Sequence, residues 1–159
     1  MQLVLTNGDV TLTYAIWDKN QEAGMQAIIH AFEEENPGIS VNLEITPWEQ
    51  YWTKLEAAAT GDVMPDIFWM HANQINRYVG GDMLLSLTDM IEESSTVDME
   101  KFPEGLVQLY TIDGKNYAMP KDFDTVALWY NKTLFDEGEL SYPDETWTWG
   151  DLLNAAKAL

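Results

Sequence analysis

Two histidines, no cysteine, 27 carboxylates and seven tryptophans are what this 159-residue chain offers to chemistry. Without thiols there is no disulfide, no thiolate nucleophile and none of the usual zinc or iron–sulfur ligation. His30 and His71 stand apart from any helical His-Glu-x-x-His pair, and there is no Gly-x-Ser-x-Gly elbow for a serine nucleophile. His30 reads as a structural residue on a helix flank, and His71, just after a strand end, as a candidate for lining a site. The run Asp18-Lys19-Asn20-Gln21-Glu22 opens like a calcium loop, yet Ala23 and Ile29 occupy the places of its glycine and bidentate glutamate. No phosphate-cradling glycine loop is present, so nucleotide binding has no residues to rest on. A glycosidase needs two carboxyls about 5 to 10 Å apart across a bond, and with so many acids no single pair stands out. Neither metal nor cofactor is expected, and no catalytic residue is assigned.

What remains are aromatic and polar residues at the ends of expected strands: Trp17-Asp18, Trp48, and Trp69 with Asn73 four residues on. An indole gives the apolar faces of a pyranose a flat, rigid platform, and Asp, Asn and Gln can bond its hydroxyls. That pairing suits a carbohydrate. Trp52 and Trp129, by contrast, have the spacing of core residues, and Trp147 and Trp149 bracket a helix start that they would staple.

The elements that must position these residues follow from periodicity. Val10, Leu12, Tyr14 and Ile16 alternate as a strand, and Met25, Ile28, Ile29 and Phe32 fall at helical spacing. Glu33 to Glu35 read as an exposed helix end before the stop Asn36-Pro37-Gly38, after which Ile39, Val41, Leu43 and Ile45 alternate again. Strand, helix and strand with short joints make a βαβ unit, so the fold class is α/β with a mostly parallel sheet flanked by helices. Thr46-Pro47-Trp48-Glu49 reads as a capped helix start, the helix running to Gly61. Asp66 to Met70 is a short buried third strand, and ligands of open α/β sheets sit outside such strand ends. Leu84, Leu85 and Leu87 pack a short segment, Asp113-Gly114 is a hairpin turn, and Thr125 to Tyr130 reads as a strand. Thr148-Trp149-Gly150-Asp151 opens a last amphipathic helix that runs to Leu159 with no C-cap, the mark of a chain cut from something longer.

A formal charge of −19 repels phosphate backbones and anionic lipid, which excludes nucleic acid as a partner. The first nine residues lack the basic and apolar regions of a secretion signal, which leaves room for a removed leader or a lipid anchor ahead of Met1.

Several fragments, in order and spacing, resemble one family. They are Trp17-Asp18-Lys19-Asn20; Ala31-Phe32-Glu33 with Asn36-Pro37-Gly38-Ile39; Lys54-Leu55; Pro65-Asp66-Ile67-Phe68-Trp69; Gly80 to Leu87; and Tyr117-Ala118-Met119-Pro120 ahead of Leu128-Trp129-Tyr130-Asn131-Lys132. Together they resemble the extracellular solute-binding proteins of ATP-driven sugar importers, the group that includes the maltose-binding protein. The resemblance implies a periplasmic-binding-protein-like (class II) fold, in which two α/β lobes close on a sugar. It implies extracytoplasmic binding of a mono- or oligosaccharide and delivery to a membrane permease, without turnover, by a periplasmic protein or a cell-surface lipoprotein.

Carried onto this sequence, the ligand contacts would be Trp17, Asp18, Asn20, Gln21, Trp48, Trp69, His71 and Asn73. Asp122, Phe123 and Asp124 would lie where the chain crosses towards the second lobe. Residues 1–121 would then form most of lobe one, and 122–159 the crossing strand and the start of lobe two. Ala72 stands where the maltose-binding relatives carry an acidic contact, which counts against a maltodextrin ligand. So truncated a lobe would leave a sheet face uncovered, through which copies could self-associate. Two other classes share the same aromatics: a carbohydrate-active enzyme, which would release reducing ends, and a protein-docking domain, whose fluorescence would ignore sugars.

Overall fold

The computed structural model of the chain describes residues 10–159, so the secretion-signal reading of the first nine lies outside the described residues. The chain divides into two units, one ending at Lys121 and the other Asp122–Leu159.

The first unit is built on a three-stranded parallel sheet. β1 (Val10–Ile16) pairs in register with β2 (Ile39–Ile45), Val10 opposite Ile39 through Ile16 opposite Ile45. β3 (Ile67–Phe68) lies on the other side of β1, giving the order β2-β1-β3. α1 (Glu22–Glu35) joins β1 to β2, and α2 (Trp48–Thr60) carries the chain back over β1 to β3. Central β1 is covered on both faces, so neighbours with opposite pleat, Ala15 and Ile16, are both buried. Ala15 packs with Tyr51, Leu55 and Tyr78, and Ile16 with Met25 and Trp69. Burying a side chain the size of Ile16 contributes about 2 kcal/mol.

Local chemistry sets the joints. α1 stops where Asn36 turns its side-chain amide back to the Phe32 carbonyl at 2.8 Å, and Gly38 takes a left-handed φ of 96° before β2. Glu33, expected to be simply solvated with Glu34 and Glu35, accepts the Val41 N–H at 2.8 Å and so pins the helix end to β2. Thr46 does not cap α2. Pro47 occupies the N-cap position with no side-chain cap, because its fixed φ of −53° already directs the chain into the helix. β3 is only two residues long, shorter than Asp66 to Met70. Asp66 extends the pairing by side chain instead: one carboxylate oxygen accepts both Thr13 N–H and Thr13 O–H at 2.8 Å.

Beyond the sheet, α3 (Ala72–Gly80) starts where only a polar stretch was read, and buries Ile75 and Tyr78. α4 (Thr88–Glu93) and α5 (Glu104–Leu109) precede a hairpin of β4 (Thr111–Ile112) and β5 (Lys115–Asn116). Its turn residues Asp113 and Gly114 have φ of 51° and 74°, the paired positive values of a tight primed turn. Leu84 packs against the core, while Leu85 is exposed, contrary to its expected role.

In the second unit, α6 (Lys132–Glu137) is capped by Asn131 and α7 (Trp149–Ala158) by the expected Thr148–Asp151 box. Phe135 is its buried centre, with the rings of Tyr130 at 5.1 Å and Trp147 at 6.0 Å. Trp149 stands outside this packing and is 81% exposed, so of the two bracketing tryptophans only Trp147 packs. No strand forms at Thr125 to Tyr130, and Trp129, expected in the core, is 94% exposed. Strand propensity measures fit to a partner surface, and among the described residues no strand pairs with this stretch.

Candidate functional site

Three loops leave the carboxyl ends of β1, β2 and β3, and each delivers aromatic residues to one cluster. In a sheet of order β2-β1-β3 the switch in winding direction falls beside β1, where open α/β sheets form their ligand crevices. Trp17, the residue after β1, is the hub. Its ring meets Trp48 at 5.1 Å, Tyr51 at 5.2 Å and Trp69 at 5.1 Å edge to face, and Trp52 at 5.9 Å tilted. Edge-to-face pairing places ring-edge hydrogens on π faces, which holds the rings at fixed angles.

Helical spacing brings Trp48, Tyr51 and Trp52 to one face of α2, since positions i, i+3 and i+4 lie side by side. Tyr51 is wholly buried, and its hydroxyl reaches the Trp69 carbonyl at 2.9 Å and the Ala15 carbonyl at 3.1 Å, so one side chain ties the ends of β1 and β3. Burial pushes the Tyr51 hydroxyl well above the usual phenol range, which keeps it a donor. Trp69, expected as a contact surface, is only 6% exposed; its indole N–H donates to the Tyr14 hydroxyl at 2.9 Å. Trp48 is 44% exposed while Trp17 and Trp52 are half-buried, so Trp48 carries the most accessible indole surface of the cluster.

Polar groups ring the indoles. Asp18 begins a single 3-10 turn, Lys19–Gln21, accepting the Asn20 N–H at 2.9 Å and the Gln21 side-chain amide at 3.0 Å. These bonds, the Asn20 N–H first, hold its carboxyl below the usual range, with help from the Lys121 charge. Lys121 donates to Gln21 Oε1 at 2.8 Å and sits 4.1 Å from the centroid of the Trp69 ring. His71 lies 5.4 Å from Trp48, ring to ring, and caps α3: its Nδ1 accepts the Asn73 N–H at 3.2 Å, leaving Nε2 as the donor nitrogen. Such a set offers flat apolar faces flanked by a carboxylate, amides and an imidazole, a surface that hydrogen-bonds hydroxyls from several directions.

Of the expected contacts, Trp17, Asp18, Gln21, Trp48, Trp69 and His71 are linked in this cluster. Asn20 and Asn73 contribute backbone N–H groups to its caps, and their side chains are exposed. Asp122, Phe123 and Asp124 belong to the second unit and are exposed there. Residues that sequence reading missed are Tyr14, Tyr51 and Lys121. The spacing of Tyr51 from Trp48 could have revealed it, whereas Lys121 reaches Gln21 across 100 residues and leaves no local signal. A separate cavity of about 100 Å³ lies beneath α2, lined by Thr13, Ala15, Glu44, Tyr51, Lys54 and Leu55 among others. It is well below the roughly 300–1,000 Å³ of small-molecule pockets and is too small for a sugar ring.

Comparison with known proteins gives a consistent picture. A family model described as bacterial extracellular solute-binding protein matches residues 27–159. The galactooligosaccharide-binding protein of Bacillus subtilis is 28% identical over 133 residues, 83% of this chain and 30% of that protein. The arabinooligosaccharide-binding protein of the same bacterium is 25% identical over 156 residues, 95% of this chain and 35% of that one. An ABC substrate-binding protein of Listeria monocytogenes, solved in complex with cycloalternan, superposes with a TM-score of 0.77 at 31% identity, covering 94% of this chain and 38% of that one. The chain spans about a third of the length of the curated relatives it matches.

Proposed function

The chain belongs to the bacterial extracellular solute-binding protein family, and from that premise we propose that its aromatic crevice is one wall of a carbohydrate site. The single observation that carries this is the cluster at the strand ends, where Trp48 and Trp17 present indole surface beside Asp18, Gln21 and His71. A pyranose stacked on Trp48 would place its hydroxyls against these polar groups, and water would be thinned from a surface already rich in ring carbons. In the same reading, residues up to Lys121 are most of lobe one. Asp122 to Asp124 start the passage into lobe two, and the whole protein hands its sugar to an importer permease outside the cytoplasm. Binding by relatives named for galactooligosaccharides and arabinooligosaccharides supports an oligosaccharide as the ligand class.

One wall of a clamp gives modest affinity, on the order of 1 mM, equivalent to about −4 kcal/mol. Titrating the chain with galactooligosaccharides and arabinooligosaccharides while following tryptophan emission is expected to give a saturable change, lost in Trp48→Ala. A flat response to every sugar, with the chain folded, sinks the proposal. A response to proteins alone would turn it towards docking.

A further inference from the structure

The chain has eight basic residues against 27 acidic ones, and one of the eight is built into the crevice. Lys121, the last residue of the first unit, places its ammonium 4.1 Å from the Trp69 ring centroid and 2.8 Å from Gln21 Oε1. The hydrogen bonds continue from there. Gln21 Nε2 donates to one carboxylate oxygen of Asp18, the other accepts the Asn20 N–H, and the Trp69 indole N–H is held by Tyr14. An amide side chain can face either way, but a cation accepts nothing, so only Oε1 can meet Lys121 and only Nε2 can meet Asp18. One ammonium therefore sets which end of Gln21 faces which neighbour, and it lies over the ring of Trp69, the residue after β3. With eight basic residues against 27 acidic ones, the field around the crevice is negative, which disfavours an anionic ligand.

We infer that Lys121 is a positioning residue of the sugar site: it fixes the Gln21 amide and seats the Trp69 ring, acting through both on a neutral oligosaccharide. This rests on the carbohydrate reading above and adds to it a residue and a charge class.

Lys121→Met keeps the length of the side chain and removes the charge, while Lys121→Arg keeps the charge and its affinity for ring faces. Without sugar, the Gln21 side-chain amide and Trp69 indole signals in a nitrogen–proton correlation spectrum are expected to move in Lys121→Met and to return towards wild type in Lys121→Arg. With galactooligosaccharide as the probe, Lys121→Met is expected to bind about three- to ten-fold more weakly, and Lys121→Arg within about two-fold of wild type. Unmoved Gln21 and Trp69 signals in Lys121→Met would overturn the positioning role whatever the sugar result. Unchanged affinity in a Lys121→Met chain whose wild type binds would overturn its action on the ligand. If wild type binds no sugar, the carbohydrate reading fails, and the ligand-free spectra still decide whether Lys121 positions the two side chains. Tighter binding of an oligogalacturonide than of the neutral sugar would overturn the charge class.

Discussion

At the scale of single residues, the tryptophans of the crevice divide by burial into support and surface. Trp69 has its indole N–H committed to Tyr14 and its carbonyl to Tyr51, and it packs with Ile16 and Met25. Trp48 leans on Trp17 and Trp52 but keeps much of its ring in solvent. Trp69→Ala is therefore expected to destabilise the chain by about 3–5 kcal/mol, the usual range for emptying a large buried site. Trp48→Ala is expected to cost about 1 kcal/mol while removing the sugar response. Urea unfolding of the two variants checks the contrast; equal losses would mean that Trp48 is structural after all. That Trp17, Trp48 and Trp69 gather at one place was legible in the sequence, because each lies at or just after the end of an expected strand. Which of them faces solvent was not, since it depends on Tyr14 and Tyr51 arriving from elsewhere in the chain.

At the scale of elements, the βαβ unit could be read because both of its strands alternate over seven residues and a capped, periodic helix lies between them. β3 was harder. Two residues cannot show a period, and much of its attachment to β1 is made by a side chain. The Asp66 carboxyl is held below the usual range by the Thr13 N–H first and the Thr13 hydroxyl second. A carboxyl with a depressed folded-state value stabilises the fold above its unfolded value, near pH 4, and that contribution disappears as pH falls through the folded value. Asp66→Ala is expected to cost about 1 kcal/mol near neutrality, discounted because the carboxylate is exposed, and the gap from wild type should close below about pH 4. Urea midpoints measured from pH 7 to pH 3 test this; a gap that stayed constant to pH 3 would mean the ionised form is not what Thr13 binds. Residues 125 to 130 show the opposite case, where strand-like residues form no strand because the ladder that would pay for their order has no second side among the described residues.

At the scale of the whole molecule, the fold is the periplasmic-binding-protein-like lobe of a solute-binding protein, and charge is its dominant bulk property. No described helix is long and apolar enough to cross a membrane. Among the described residues, ion pairs join Lys54 to Glu44, Arg77 to Glu56 and Lys101 to Asp98, and eight basic residues cannot offset 27 acidic ones, so the chain keeps a formal charge of −19. Self-repulsion of that kind weakens a compact state. Raising salt from about 10 mM to about 0.15 M shortens the screening length from about 30 Å to about 8 Å. The melting temperature is therefore expected to rise with salt, by a few degrees for a chain of this size. A temperature unchanged or lowered by sodium chloride would show that local ion pairs outweigh the net charge.

The Tyr51 hydroxyl has one proton and lies within reach of the carbonyls of Ala15 and Trp69, so the two strand ends that carry Trp17 and Trp69 move together or not at all. Rings mounted on such a bracket lost their freedom when the chain folded, and a ligand arriving later meets a finished plate. On the proposed carbohydrate reading, differences between one sugar and the next will then be written in the heat released and in residence time, with association rates staying close to one another.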